Sequence, residues 1–176
     1  FGFLPFDKVR DKDSPASICL ICEIAAWAKD NGKTLYDLLM DIYIEYGFSY
    51  EHTINVVRPG KTGADEIRQM MENFRNNPPK ELGGSDIAYA RDWLTLEQTN
   101  ADGTKTKLVQ PATSNVLQWF CTDGTKVSVR PSGTEPKIKF YLEVKDPTMK
   151  CAGCYERCLA GAKEKVEAIK KSLGLE

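Results

Sequence analysis

Histidine is almost absent: the 176 residues hold one, His52. That excludes His-rich metal centres and any chemistry needing two imidazoles. Net charge is almost absent too, since 24 basic residues face 25 acidic ones for a balance of −1. Nucleic-acid and acidic-membrane partners are held by a positive excess, and none exists here. No apolar run approaches the ~20 residues of a membrane span. Internal repeats and low-complexity segments are missing as well. These gaps predict neither a nucleic-acid nor a membrane partner. The first residue is Phe1 rather than Met, so the chain is expected to be an excised or processed piece.

Cysteine, by contrast, is plentiful: Cys19, Cys22, Cys121, Cys151, Cys154 and Cys158. The ligand spacing is not that of a zinc finger or ribbon, and His52 lies far from either CxxC pair in sequence. Cys151, Cys154 and Cys158 follow i, i+3, i+7 spacing. Their stripe continues through Ala162, Val166, Ile169 and Leu173, which predicts one buried face of a helix over 147–173. Thiols left unpaired predict a reducing cytoplasm.

Two helices open the chain. Ser14-Pro15 starts one that runs to about Asp30, and Asn31-Gly32 ends it. Ile18, Leu20, Ile21, Ile24, Ala25, Trp27 and Ala28 make it apolar nearly all round, so it should be covered on several sides. Thr34, with Asp37 three residues on, caps a second helix that Gly47 stops. The pattern then changes. Residues 48–58 alternate as a strand, 63–75 form an amphipathic helix, and 86–97 and 106–110 are candidate strands. Residues 116–122 and 126–130 flank Asp123-Gly124, a hairpin signal. Residues 137–145 alternate with Ile138, Phe140, Leu142 and Val144 on one face. Short antiparallel strands with one early and one late helix predict an α+β layer, with helices packed on one side of the sheet.

The segment Arg130-Pro131-Ser132-Gly133-Thr134-Glu135-Pro136 carries the chemistry. It joins two strands. Arg130 offers a bidentate cation, and Ser132 and Thr134 offer hydroxyl donors. Gly133 permits close backbone approach and a φ above zero, which would let successive N–H groups form an anion nest. The two prolines limit the entropy lost on binding. Lys137 and Lys139 follow. A phosphate group suits these donors, although Pro-Ser-Gly is also ordinary turn chemistry.

The run R-P-S-G-T-E-P-K-I-K resembles the phosphate-binding loop in the C-terminal domain of the α-D-phosphohexomutases. Arg10-Asp11-Lys12-Asp13, followed by an apolar helix, resembles the segment just after that family's sugar-binding loop. That loop reads G-E-E-S-x-G, and Phe1-Gly2 would be its last two positions. The resemblance covers nearly the whole chain. It implies that residues 1–47 are a C-terminal helical remnant of a truncated α/β domain 3. Residues 48–176 would be domain 4, a four-stranded antiparallel sheet with helices of the TATA-binding-protein-like type.

The family reaction moves a phosphoryl group between C1 and C6 of a hexose through a phosphoserine and a bisphosphorylated intermediate. The resemblance implies that Arg130, Ser132, Gly133, Thr134 and Lys139 clamp the non-reacting phosphate. Lys139 reads equally well as an outward strand lysine that discourages edge pairing. Lys12 would stand at the reacting end as a proton-transfer or electrostatic group, supported by Arg10; a solvated loop lysine is the other reading. No T-A-S-H-N-P-like segment offers a serine for phosphorylation, and no D-G-D-x-D-R-like loop offers Mg2+ its carboxylates. The fragment is therefore expected to be inactive and to bind no metal. Mg2+ and the missing N-terminal domains would belong to the parent, whose substrates would be glucose or mannose phosphates. The apolar first helix leaves self-association of the fragment open. A stand-alone phosphosugar-binding module is the competing reading.

Overall fold

The computed structural model describes residues 4–175. The reading of Phe1-Gly2 as the end of a sugar-binding loop lies outside them. Among the described residues the chain has four α-helices: α1 (Ser14–Asp30), α2 (Leu35–Tyr46), α3 (Gly63–Asn76) and α4 (Tyr155–Ser172). Eight strands accompany them: β1 (Phe48–Val57), β2 (Glu81–Leu82), β3 (Ser85–Asp92), β4 (Glu97–Asn100), β5 (Lys105–Lys107), β6 (Leu117–Cys121), β7 (Lys126–Pro131) and β8 (Lys137–Asp146). None of these helices is long and apolar enough to cross a membrane.

The chain divides into two compact units. One gathers the residues up to Gly47 with Met149–Tyr155, and the other holds Phe48–Thr148 with Glu156 onward. In the first unit α2 begins on a complete capping box. The Thr34 hydroxyl accepts from the Asp37 N–H at 3.1 Å, and the Thr34 N–H donates to the Asp37 carboxylate at 2.8 Å. The expected cover over α1 is not seen. Of its residues only Ala28 is buried, while Ile18 is 60% and Trp27 57% exposed. An apolar helix needs a partner surface on each apolar side, and the described residues do not supply one for α1.

The second unit is built on an antiparallel sheet in the order β1-β8-β7-β6-β3-β4-β5, with β2 paired to β3. The α+β class therefore holds, but the expected four strands become eight. The extra ones come from the polar segment 81–107. Residues 86–97 do not run as a single strand. The Leu94 N–H donates to the Asp92 carboxylate at 2.9 Å, and Leu96 takes φ 56°, which folds β4 back on β3.

Alternation in β7 and β8 puts Val127, Val129, Ile138, Phe140, Leu142 and Val144 on one buried face. Phe74 of α3 packs edge-on against Trp119 and Phe140, with ring centroids at 5.3 and 6.0 Å. The buried residues of α4 are Cys158, Ala162, Val166 and Ile169. This helix starts at Tyr155, not near 147, which corrects the expected cysteine stripe. Asp146 accepts from the Thr148 N–H and hydroxyl, and Cys151 is extended, so the chain turns before the helix begins. Cys151 is exposed and Cys154 half-buried; only Cys158 of the three is buried.

Two buried hydroxyls lack a hydrogen-bond partner among the described residues, Ser49 Oγ and Thr125 Oγ1, the second on a side chain 1% exposed. Thr125→Val keeps the shape and removes the orphan, so it should stabilise the chain by about 1 kcal/mol. Urea unfolding checks this. A loss of stability of that size would show that the hydroxyl is bonded in solution.

Candidate functional site

The β7–β8 connection, residues 132–136, presents the phosphate-type loop. β7 and β8 pair with Arg130 directly opposite Lys139, and β1 pairs with β8 so that Asn55 lies opposite Lys139 on its other side. The three residues form one row across adjacent strands. Since Ile138 and Phe140 face the core, Lys139 stands on the opposite face. Directly opposed residues have Cβ atoms about 4.5–5.5 Å apart, and like charges so placed repel. Among the described residues neither Arg130 nor Lys139 has a carboxylate within 4.0 Å. An anion between them would relieve that repulsion. Asn55 escaped the sequence reading because its place in the row depends on β1 pairing with β8, about eighty residues away in the chain. No local pattern signals that register.

The loop has an internal scaffold. The Ser132 N–H donates to the Lys137 carbonyl at 2.8 Å, which closes the strand ends. The Ser132 hydroxyl accepts from the N–H groups of Thr134 at 3.4 Å and Glu135 at 3.3 Å. Both bonds are long, so these amides are weakly held and can be re-aimed at a stronger acceptor. The Arg58 N–H donates to the Pro136 carbonyl at 2.9 Å and fixes the far end of the loop to the segment after β1. Lys137 pairs with Glu135 at 2.5 Å, and that hydrogen bond holds the Glu135 carboxyl below its usual range. Lys137 is therefore already held in a direct ion pair, whereas Lys139 acts on Glu135 only at longer range.

Gly133 differs from the expectation. It is absent from the left-handed glycines, and a Cβ built on it meets nothing within 4 Å. Its backbone does not need glycine here. What glycine supplies is open space at the exposed loop tip, where a ligand can approach the amides. Gly133→Ala should therefore leave stability within ~0.5 kcal/mol of the parent value while weakening phosphate binding. Thermal unfolding and phosphate titration, run side by side, separate the two effects. A large stability loss would restore the conformational reading.

A cleft of about 240 Å³ borders the loop and includes Ser132, Glu135, Arg68 and Asn115. Arg68 is tied to Asp65 at 2.8 Å, so the cleft adds Asn115 as a further polar neighbour. Asn115 accepts from Arg75 at 2.6 Å, and Arg75 also pairs with Asp92. A larger cavity of about 1080 Å³ lies elsewhere on this unit, lined by Phe74, Arg91, Tyr89 and Trp119 among others. None of the loop's donors enters it.

Lys12 and Arg10 belong to the first unit and are exposed. Lys12 pairs with Asp11 at 2.7 Å, and that hydrogen bond holds the Asp11 carboxyl below its usual range. The structure thus brings Arg130, Ser132, Gly133, Thr134 and Lys139 onto one hairpin. Lys12 and Arg10 belong to the other unit. Among the described residues no three of His, Cys, Asp and Glu converge to hold a metal ion.

Comparison with known proteins adds an independent line. The family described as Phosphoglucomutase/phosphomannomutase, C-terminal domain, matches residues 54–150. Phosphoglucomutase of Staphylococcus aureus strain N315 is 37% identical over 147 residues, covering 84% of this chain and 26% of its own length. That of strain MSSA476 is 37% identical over 145 residues, covering 82% and 26%. Among solved structures, the open form of the phosphoglucomutase pp63/parafusin from Paramecium aligns at a TM-score of 0.48 and 16% identity. That alignment covers 94% of this chain and 28% of the other. The chain spans about a quarter of the length of the curated relatives it matches. With more than half of its residues inside the family match, the chain belongs to the phosphoglucomutase/phosphomannomutase family and carries its C-terminal domain.

Proposed function

We propose that this chain is the phosphate-clamping portion of a phosphohexomutase. The parent would interconvert hexose 1-phosphate and hexose 6-phosphate through a phosphoserine and a bisphosphorylated sugar. The observation that carries the reading is the row formed by Arg130 and Lys139, two opposed cations with no carboxylate within 4.0 Å among the described residues, beside a loop of donor groups. A phosphate dianion satisfies both charges and accepts from Ser132, Thr134 and the loop amides. Such a grip leaves the sugar's other end free for chemistry. Phosphoryl transfer depends chiefly on positioning and on charge stabilisation, so a clamp remote from the reacting bond contributes to rate.

The remaining roles are proposed for the parent. Residues up to 47 are read as the last helices of a domain 3, which the exposed apolar face of α1 supports. Lys12, with Arg10 beside it, would act at the reacting phosphate. Magnesium and the phosphoserine would be supplied by other domains, and the cytoplasm is the proposed compartment.

The test is a coupled assay on glucose 1-phosphate, mannose 1-phosphate and glucosamine 1-phosphate. The chain alone should turn over none of them, and the full-length parent at least one. Turnover by the chain alone would overturn the division of labour, and a parent inactive on all three would overturn the mutase reading.

A further inference from the structure

We propose that Cys151 and Cys154 form a reversible dithiol–disulfide site whose oxidant is a small disulfide such as glutathione disulfide. The observation behind it is independent of the phosphate loop. Cys151 is extended, with φ −156° and ψ 158°, and Ala152–Cys154 make one 3-10 turn. The Cys154 N–H donates to the Cys151 carbonyl at 3.0 Å. This turn sets the two Sγ atoms 2.9 Å apart at an exposed position. A turn closed from i to i+3 keeps its Cα atoms within ~7 Å, inside the reach of a disulfide. The bond itself is about 2.05 Å long, so closing it moves the sulfurs by under about 1 Å.

The other cysteines differ. Cys19 and Cys22 share the CxxC spacing but sit within α1, with no sulfur–sulfur contact among the described residues. Cys121 and Cys158 are buried, and loss of solvation raises both thiols above their usual range, which keeps them protonated. Cys151 is exposed and Cys154 half-buried, which sets the order of events. The Cys151 thiolate attacks one sulfur of glutathione disulfide, forming a mixed disulfide and releasing one glutathione thiolate. The Cys154 thiolate then attacks Cys151 Sγ and releases the second. Two protein thiols lose two protons and two electrons, and the oxidant is reduced to two thiols. Excess glutathione reverses both steps. In a reducing compartment such a pair responds to redox state and does not staple the fold permanently.

The next residue reports on closure. The Tyr155 ring packs edge-on against Tyr36 at 6.0 Å and is stacked near Tyr43 at 6.2 Å. Ring closure at 151–154 should therefore change the near-ultraviolet circular dichroism of these tyrosines.

The experiment treats the reduced chain with glutathione disulfide, alkylates the remaining thiols and maps the products by mass spectrometry. Two of the six thiols should disappear into a Cys151–Cys154 crosslink, with the tyrosine signal shifting, and dithiothreitol should restore both. Cys154→Ser should trap one glutathione on Cys151. Cys151→Ser should form no crosslink and take up glutathione at its remaining cysteine at least about tenfold more slowly. A crosslink at Cys19–Cys22 in its place, no crosslink at all, or equal uptake at 151 and 154 in the two single variants would overturn the proposal.

Discussion

Arg130→Ala is expected to weaken phosphate binding by roughly one to two decades, since a hydrogen bond to a charged group contributes about 1.5–3 kcal/mol. The side chain is exposed at the end of β7, so solvent and salt screen part of its field and place the effect towards one decade. Removing it also removes half of the opposed pair with Lys139. The unliganded chain should therefore lose no stability, because a repulsion is relieved as a charge is lost. In the parent, both halves of the reaction should slow together. The clamp holds whichever phosphate is not reacting, so its loss misplaces the sugar in each half. Lys137→Ala is the control. Lys137 is already paired with Glu135, so its removal subtracts little free positive charge. Isothermal titration on the chain and steady-state kinetics on the parent measure these effects. Equal losses for Arg130→Ala and Lys137→Ala would reduce the loop to a basic turn.

Gly63→Ala should have the largest effect on stability. Its added Cβ would stand 1.7 Å from the Arg58 carbonyl oxygen and 2.7 Å from the carbonyl carbon. Both are backbone atoms, so no side chain can rotate away. The segment between β1 and α3 must move, against the pairing of β1 with β8 and the packing of buried Ile67 and Met71. A forced shift in a packed core costs about 3 kcal/mol or somewhat more. The same shift reaches the phosphate loop, because the Arg58 N–H holds the Pro136 carbonyl. Phosphate affinity should fall along with stability. Gly161→Ala gives the contrast. That glycine lies within α4 with nothing within 4 Å of an added Cβ, so alanine should stabilise by about 0.5–1 kcal/mol. Chemical unfolding of the two variants checks both signs. A Gly63→Ala chain as stable as the original would mean that the β1–α3 connection is looser than its contacts indicate.

Periodicity made some parts of this fold readable in advance. Residues 137–145 alternate strictly, and the structure gives β8 with the named residues inside. Thr34 and Asp37 satisfy each other within one turn, so the α2 start is a local event. The break at Asp92–Leu96 was not readable, because β-branched and aromatic residues on both sides favour a continuous strand. The start of α4 was misplaced for a similar reason. The cysteine spacing fits a helix, but the Asp146–Thr148 turn and the extended Cys151 take precedence. At the candidate site the donor types were legible from the loop itself. The facing of Arg130 with Lys139 and Asn55, and the clash that requires glycine at 63, depend on strand register and on the path of the chain after β1. Those are tertiary facts that no window of sequence contains.

The claim that the 130–139 hairpin is a phosphate site is tested most directly by titrating the isotope-labelled chain with inorganic phosphate and following backbone amide resonances. Saturable shifts should concentrate on Gly133, Thr134 and Glu135, whose amides lie at the loop tip beside the Arg130–Lys139 row. They should weaken as salt is raised. Shifts spread evenly over surface lysines, or none at the loop at concentrations that perturb other residues, would contradict it.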